Sequence, residues 1–447
     1  MQLFAACAWT ALACLLSGAA EARSATGSRV LVVVPKPESL QKFSHVLGSL
    51  EQRGFEVTTS QASNGTMALH VGGERAFDHA MLLAPGSKRF GAGLTISDFT
   101  RFVDDGGNLV LAASSETSDF HRRLAAQFGI EFEKPGTQVT DHVSNLKDGS
   151  GDGGGGDHTI VASSRFAEAP AVLSRRFTQR NADRVYFKGI AHRCSESPLL
   201  VPLLSAARTT YSGKDAFADG TVASGQALGL VSVFQARGNA RVAVSGGVSL
   251  FTDALLQRAG DANRQFVDDV LQWTFQEKAV LRSTGHRHFL EATGERPEHY
   301  RINNEIVYEI DLSEYHDDAW HAYGSADDVQ FEATMLDPLI RATLNRTKAA
   351  DGASAATYRG RFRLPDRYGT FTFRVNYKRT GLSNVDVRDT VGIWPLRHDE
   401  YPRFLVVAYP YYVGALVMAL GFLALCMAWL WSAEPSKAKG HAKSKTD

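Results

Sequence analysis

Disulfides are out of reach for most of this chain. Its 447 residues hold four cysteines. Cys7 and Cys14 fall in an apolar leader and Cys426 in an apolar run near the other end, so only Cys194 stands between them. A lone thiol cannot close an internal bridge, so stability has to come from packing, and Cys194 is expected to be buried or to pair with a partner subunit. Net charge is absent too, with 48 basic against 48 acidic residues. No basic stripe is interleaved with aromatics, which speaks against a nucleic-acid partner. Long apolar runs are scarce. With 44% hydrophobic residues the chain can still bury ordinary cores, enough for two or three domains.

The one long apolar run is informative. Residues 404–431 are uncharged, and 413–431 carry no polar side chain. At the rise of an α-helix that core covers about 28 Å, close to the hydrocarbon thickness of a bilayer. Tyr409, Tyr411 and Tyr412 crowd one end and Trp429 and Trp431 the other, as amphipathic rings do at the two interfaces. Residues 404–431 are therefore expected to form a transmembrane helix, with 432–447 as a lysine-bearing cytosolic tail. Residues 4–16 are apolar but too short to span, and Ala20-Glu21-Ala22 suits a signal peptidase, so 1–22 reads as a cleaved secretory signal. Signal and anchor together place the bulk of the chain outside the cytosol.

Ala415, Ala419, Gly421, Ala424 and Ala428 put small residues at helical spacing within the span, which suits close packing against another helix. Lys445 and Lys443 stand three and five positions from the end, the dilysine form of a retrieval signal to the endoplasmic reticulum. Asn64-Gly65-Thr66 and Asn345-Arg346-Thr347 are N-glycosylation acceptors in such a compartment.

Residues 28–280 read as an α/β domain. Residues 29–34 are a continuous β-branched run, the mark of a strand buried on both faces. A helix from Ser39, with Leu40, Phe43, Leu47 and Leu50 at three- and four-residue spacing, ends at Gly54. Strands follow at 55–59, 79–84 and 108–113, with helices at 97–105 and 119–128 between and after them. The pattern resumes with strands at 227–234 and 240–246, joined by a hairpin turn at Arg237-Gly238-Asn239, and a closing helix at 264–275. Such alternation predicts a doubly wound, mainly parallel sheet. The Gly-rich stretch at 147–157 is a loop, and its G-x-G-x-x-G match lacks the flanking strand and helix that a dinucleotide site needs.

From Tyr300 the apolar period changes to two. Strands are expected at 302–310, 329–333, 358–364, 370–377 and 385–393, which together predict a β-sandwich-like domain over 281–400.

Candidate chemistry is sparse. Gly247-Val248-Ser249-Leu250-Phe251 holds half of a nucleophile elbow without its second glycine, so Ser249 reads as a helix cap. His286-Arg287-His288 finds no third metal ligand at suitable spacing and reads as a solvated loop. His316-Asp317-Asp318 and Asp327-Asp328 are acidic turns with too few oxygens for calcium. Arg397-His398-Asp399-Glu400 with Arg403 suits interfacial anchoring better than a diphosphate site. No catalytic, cofactor or metal site is expected.

Residues 364–377, LPDRYGTFTFRVNY, together with 395–404, PLRHDEYPRF, and 408–412, AYPYY, resemble characteristic segments of one family. The chain resembles the 48 kDa subunit family of dolichyl-diphosphooligosaccharide–protein glycosyltransferase, part of the oligosaccharyltransferase complex. The resemblance covers essentially the whole chain, with Trp394 and the Gly-rich loop as departures. It implies residence in the endoplasmic reticulum membrane and a complex that moves an oligosaccharide from dolichyl diphosphate to Asn in Asn-X-Ser/Thr. It also implies an amidotransferase-like first domain and catalysis by a different, multi-spanning subunit. A ribophorin II-like subunit and a small multi-spanning subunit are the other implied partners. Two rival readings are a lumenal hydrolase or transferase and a glycan or peptide receptor with its cleft near Ser114, Ser115 and Ser249.

Overall fold

The computed structural model describes residues 24–432, apart from 66, 92, 147–156, 180–181, 214–223, 317, 325, 348–353 and 402–404. The leader, the Gly-rich loop and the lysines Lys443 and Lys445 thus lie outside the described residues.

The first part of the chain opens on β1 (Arg29–Val34), α1 (Ser44–Gln52), β2 (Glu56–Gln61), β3 (His79–Leu82), α2 (Ile96–Asp104), β4 (Asn108–Ala112) and α3 (Asp119–Gln127). It continues with β5 (Ile130–Phe132), β6 (His192–Cys194), β7 (Leu200–Ser205), β8 (Gly229–Gln235), β9 (Arg241–Ser245), α4 (Asp253–Ala259) and α5 (Asp261–Thr274). Five strands run parallel in the order β2-β1-β3-β4-β9. Beyond β9 the ladder turns antiparallel through β8 and β7, with β6 joining β8 to β5. The ten-stranded sheet is therefore mixed, not mainly parallel. A tight β8–β9 turn, with Asn239 at φ 71°, reverses the chain where a crossover helix would have kept it parallel.

Alternate side chains of the parallel strands feed two cores. Val30, Val32, Val110 and Ala112 pack with Val46 and Leu50 of α1 and Phe266, Val270 and Trp273 of α5. Leu31, Val33, Leu109 and Leu111 pack on the other face with Phe99 and Phe102 of α2 and Leu124 of α3. Each ring such as Phe99, with no exposure, contributes about 2–3 kcal/mol by leaving water. At the start of α2, the Thr95 hydroxyl accepts from Asp98 N while the Asp98 carboxylate accepts from Thr95 N. Such a capping box stabilises a helix end by about 1 kcal/mol.

The second part holds β10 (Val280–Leu290), β11 (His299–Arg301), β12 (Glu305–His316), β13 (Ala319–Ala322), β14 (Gln330–Met335), β15 (Asp337–Thr343), β16 (Ala356–Arg363), β17 (Gly369–Tyr377) and β18 (Val385–Trp394). Two five-stranded sheets form, one around β10-β12-β16 and one ordered β11-β18-β17-β14-β15. Both contribute to a single core in which Tyr308, Ile310 and Tyr358 meet Phe331, Phe371 and Phe373. Residues 286–288 lie inside β10, which corrects the solvated-loop reading.

A short 3-10 turn, Val406–Ala408, leads into α6 (Tyr409–Trp431). Pro410 sits in its first turn, where a missing N–H costs nothing. Together they span 26 residues with mean hydropathy 2.3, none of it buried, so the helix is long and apolar enough to cross a membrane.

Candidate interaction site between the two domains

Both domains meet at the end of α5. Arg241, the first residue of β9, is fully buried there with its guanidinium 4.7 Å above the Trp273 ring. Its Nη1 donates to Trp273 O at 2.7 Å and Lys278 O at 2.8 Å, and its Nη2 to Ala279 O at 2.6 Å and Ser383 Oγ at 3.2 Å. The last carbonyls of a helix have no intrahelical donor and carry the negative end of its dipole, so a cation is the fitting cap. Burial pulls the Arg241 pKa down to about 9, which leaves it charged at neutral pH.

The β17–β18 hairpin then plugs into the first domain. Trp273 Nε1 donates to Gly381 O at 2.7 Å and Gln235 Nε2 to Leu382 O at 2.7 Å. Asn239 clasps the Asn384 backbone from both sides, donating to its O at 3.0 Å and accepting from its N at 2.7 Å. Polar side chains here act as a short ladder between two domains whose sheets do not join. The joint is rigid.

Beside it opens a cleft of about 900 Å³, lined by Arg237 and Asn239 from the first domain and Arg374, Lys378, Arg379 and Arg388 from the second. Asp386 is the single carboxylate in the lining. It is gripped by Arg374 at 2.9 Å and Arg388 at 2.7 Å. The Arg388 hydrogen bond, then that of Arg374, outweighs partial burial and holds its carboxyl down at about 2. Arg379 is held by Asp328 outside the cleft. Two carboxylates against five cations leave a positive wall, above apolar floor residues such as Val172, Leu199 and Trp273. Low-dielectric walls strengthen such a field toward an anionic group.

The serine of the half-elbow is spent elsewhere. The Ser249 hydroxyl donates to Lys188 O, and Ser245 Oγ donates to Gly247 O at 3.0 Å. Ser114 N donates to Thr117 Oγ1 at 2.7 Å, and Ser115 O receives Gly136 N at 2.7 Å. Residues 188–190 cross the carboxyl end of β9 so tightly that a Cβ on Gly246 would stand 1.9 Å from Ile190 O, and one on Gly247 2.2 Å from Lys188 O. Glycine is required there because backbone packs on backbone. Own chain thus fills the edge where a cleft was expected.

The histidines of β10 sit in a different setting from the one the sequence suggests. His288 is buried, with Nδ1 2.8 Å from Tyr300 Oη and Nε2 2.9 Å from Asp389 Oδ2. Arg296 reaches the same carboxylate at 2.9 Å, while His286 stays 3.8 Å away. Partial burial works against the Asp389 charge, and the His288 hydrogen bond with Arg296 outweighs it, holding the carboxyl below its usual range. Burial lowers His288 itself. This cluster ties β10 to β18 across the two sheets. Among the described residues no group of three or more His, Cys, Asp or Glu is placed to hold a metal.

Other expected sites are scattered. Asn64 and Asn345 are both exposed, Asn345 on a two-residue edge strand paired with β16. Cys194 is half-buried against Ser232 Oγ at 3.2 Å, and burial pushes its thiol up, which makes it a poor nucleophile. Ala415, Ala419, Gly421, Ala424 and Ala428 lie along exposed α6. Glu400 accepts from Arg397 N at 2.8 Å and pairs with Arg301 at 3.1 Å; Arg403 is outside the described residues. Sequence reasoning missed Arg241, whose only signal is an arginine opening an otherwise apolar strand.

Residues 21–277 match the OST48 N-terminal domain and residues 287–433 the OST48 middle domain. The chain belongs to the OST48 family. A relative from Arabidopsis thaliana, named dolichyl-diphosphooligosaccharide–protein glycosyltransferase 48 kDa subunit, is 31% identical over 433 residues, covering 93% of this chain and 96% of its own length. A relative of the same name from Caenorhabditis elegans is 32% identical over 420 residues, 90% of this chain and 91% of its own. A relative from Danio rerio, also so named, is 29% identical and covers 95% and 96%. The interdomain joint thus falls where one family segment ends and the next begins.

Proposed function

We propose that this chain is a non-catalytic, assembling subunit of the oligosaccharyltransferase complex, which attaches a preformed oligosaccharide to Asn in Asn-X-Ser/Thr. Subunit membership follows from the family and from relatives whose names carry it. We divide the chain into a doubly wound first domain to about residue 280, a sandwich-like second domain to about 400 and one spanning helix. In this reading the two domains face the lumen of the endoplasmic reticulum, residues 1–22 are removed, Lys443 and Lys445 serve retrieval, and Asn64 and Asn345 accept glycans. The catalytic subunit, a ribophorin II-like subunit and a small multi-spanning subunit are its partners, the last docking on the small residues of α6.

The observation that carries this reading is the locked joint with its basic cleft. A scaffold has to hold a fixed surface, and the Arg241 cap fixes two domains around a wall with unmatched positive charge. An acidic segment of a neighbouring subunit is the complementary occupant. Arg237→Glu with Lys378→Glu is expected to reduce co-purification of at least one partner subunit in mild detergent and to lower glycan occupancy. Both residues are exposed, so folding is expected to survive. Unchanged subunit recovery in that variant would remove the cleft from the assembly.

The hydrolase reading needs Ser249 as a nucleophile, yet its hydroxyl is committed to Lys188 O. Ser249→Ala is therefore expected to leave glycan occupancy of secreted proteins at the unsubstituted level. A collapse of occupancy with normal protein levels would revive that alternative.

A further inference from the structure

The end of the second domain that points toward α6 carries apolar side chains with no cover. Leu336 is the single residue between β14 and β15, is fully exposed and has φ 67°. A branched side chain in the left-handed region is uncommon, because its Cβ crowds the backbone there. Tyr368, 69% exposed, precedes β17, and Trp394, 48% exposed, ends β18. The register brings these three together. Gly369 pairs with Ile393, and a Cβ on Gly369 would meet Met335 Sδ at 3.0 Å. Met335-Leu336, Tyr368-Gly369 and Ile393-Trp394 are therefore neighbours along one edge of the sheet.

Chain geometry puts this edge beside the span. Arg301 pairs with Glu400 and donates to Pro395 O at 3.1 Å, so the segment after β18 is stapled to the sheet end. Five residues, 401–405, then separate that staple from the helical stretch beginning at Val406. An extended stretch of that length reaches about 18 Å at most. The opposite end of the domain, where the β17–β18 hairpin enters the first domain, is directed away.

We propose that Leu336, Tyr368 and Trp394 form a second membrane contact, dipping into the interfacial layer of the leaflet where α6 enters. Aromatic rings with a polar edge favour that layer, and an aliphatic tip favours the acyl boundary beneath it. Trp394 is already stacked on His299 at 4.2 Å, with Arg301 5.9 Å from its ring, leaving its free side to the lipid. Two contacts, a helix and a loop edge, would fix the tilt of the ectodomain where a single flexible tether would not. The inference rests on α6 spanning the bilayer and holds for either orientation of the chain.

The test uses the full chain in its co-purified complex, with Cys194→Ser and Cys426→Ser, in nanodiscs with and without doxyl-labelled lipids. An environment-sensitive fluorophore is attached at Leu336→Cys. Ala319→Cys, which opens β13 beside the far end of β12, serves as a solvent control, and Leu423→Cys on α6, outside its small-residue set, as a membrane control. Leu336 is fully exposed, so folding is not at stake. Emission at 336 is expected to be blue-shifted and lost to doxyl lipids, as at 423, while 319 responds only to iodide. Quenching of 336 by iodide alone overturns the contact, and so does shielding from both quenchers, which would mean that protein covers the edge. Absence of lipid quenching at 423 would instead refute the spanning helix.

Discussion

Arg241→Ala is expected to destabilise the chain by about 2–5 kcal/mol, through lost charge-assisted hydrogen bonds and the cavity left beside Trp273. The substitution removes four guanidinium hydrogen bonds; Trp273 O and Ala279 O keep backbone donors from Gln276 N and Ser383 N, whereas Lys278 O loses its donor. An unsatisfied buried carbonyl costs about 1–3 kcal/mol. The loss also removes stacking on Trp273, and with it the fixed angle of the ring whose Nε1 holds Gly381. Two readouts separate the consequences. Denaturant midpoint reports the stability loss, while limited proteolysis between residues 276 and 284 reports uncoupling of the domains. Arg241→Lys, with one ammonium for at most three of four acceptors, is expected to fall between alanine and the native chain. Wild-type protease resistance in Arg241→Ala would show that the hairpin contacts alone lock the joint.

Acidification from pH 7.5 to 5.5 is expected to weaken the first domain by about 4 kcal/mol. Three fully buried histidines, His79, His121 and His192, bear this load. Burial pulls their pKa values to about 4, about 4 and about 3 respectively. His79 Nδ1 faces the Asn108 amide at 3.1 Å and Nε2 lies 3.0 Å from Gly27 O; Asp78 favours its charge and Arg75 opposes it. His121 and His192 have Ser118 and Ser232 as their hydroxyl neighbours. A folded pKa below the unfolded value near 6.5 means that the unfolded chain binds protons first. The neutral rings therefore stabilise fully above pH 6.5, and that contribution is lost as pH falls toward the folded values. Each ring gives up about 1.4 kcal/mol per pH unit within that window. Urea midpoints at pH 7.5, 6.5 and 5.5 measure the slope. A flat profile over that range would mean that the rings are paired with acids or reached by water.

Much of the first domain was legible as local pattern. The run at 29–34 and the closing helix are where the β-branched stretch and the three-and-four spacing put them, as β1 and α5. Such elements are buried on both sides or along one stripe, so their apolar periods are clean. β10 was not legible, because VLRSTGHRHFL is an edge strand with one wet face and a charged inner network at His288. Charges on edge strands protect against stray pairing and erase the alternation that would announce a strand. β15, with Asp337 and Pro338 at its start, escaped for the same reason.

At the candidate site the balance was reversed. Ser249 was visible as half a motif, and its commitment to Lys188 depends on residues 61 positions away. The basic cleft draws Arg237 from one domain and Lys378 from the other, and nothing in either neighbourhood marks them as partners.

The sequence by itself determined the apolar helix near the end, the lone cysteine between the two apolar segments, the family and the alternation of strand with helix. These are properties of neighbouring residues, and hydropathy period and length encode them directly. Only the tertiary structure decided that Arg241 caps α5, that the positive cleft exists and that Leu336 stands beside Tyr368 and Trp394. Those features join groups 32 to 145 positions apart. The free energy of such a contact is set by which surfaces the whole fold desolvates together, and a one-dimensional pattern does not hold that information.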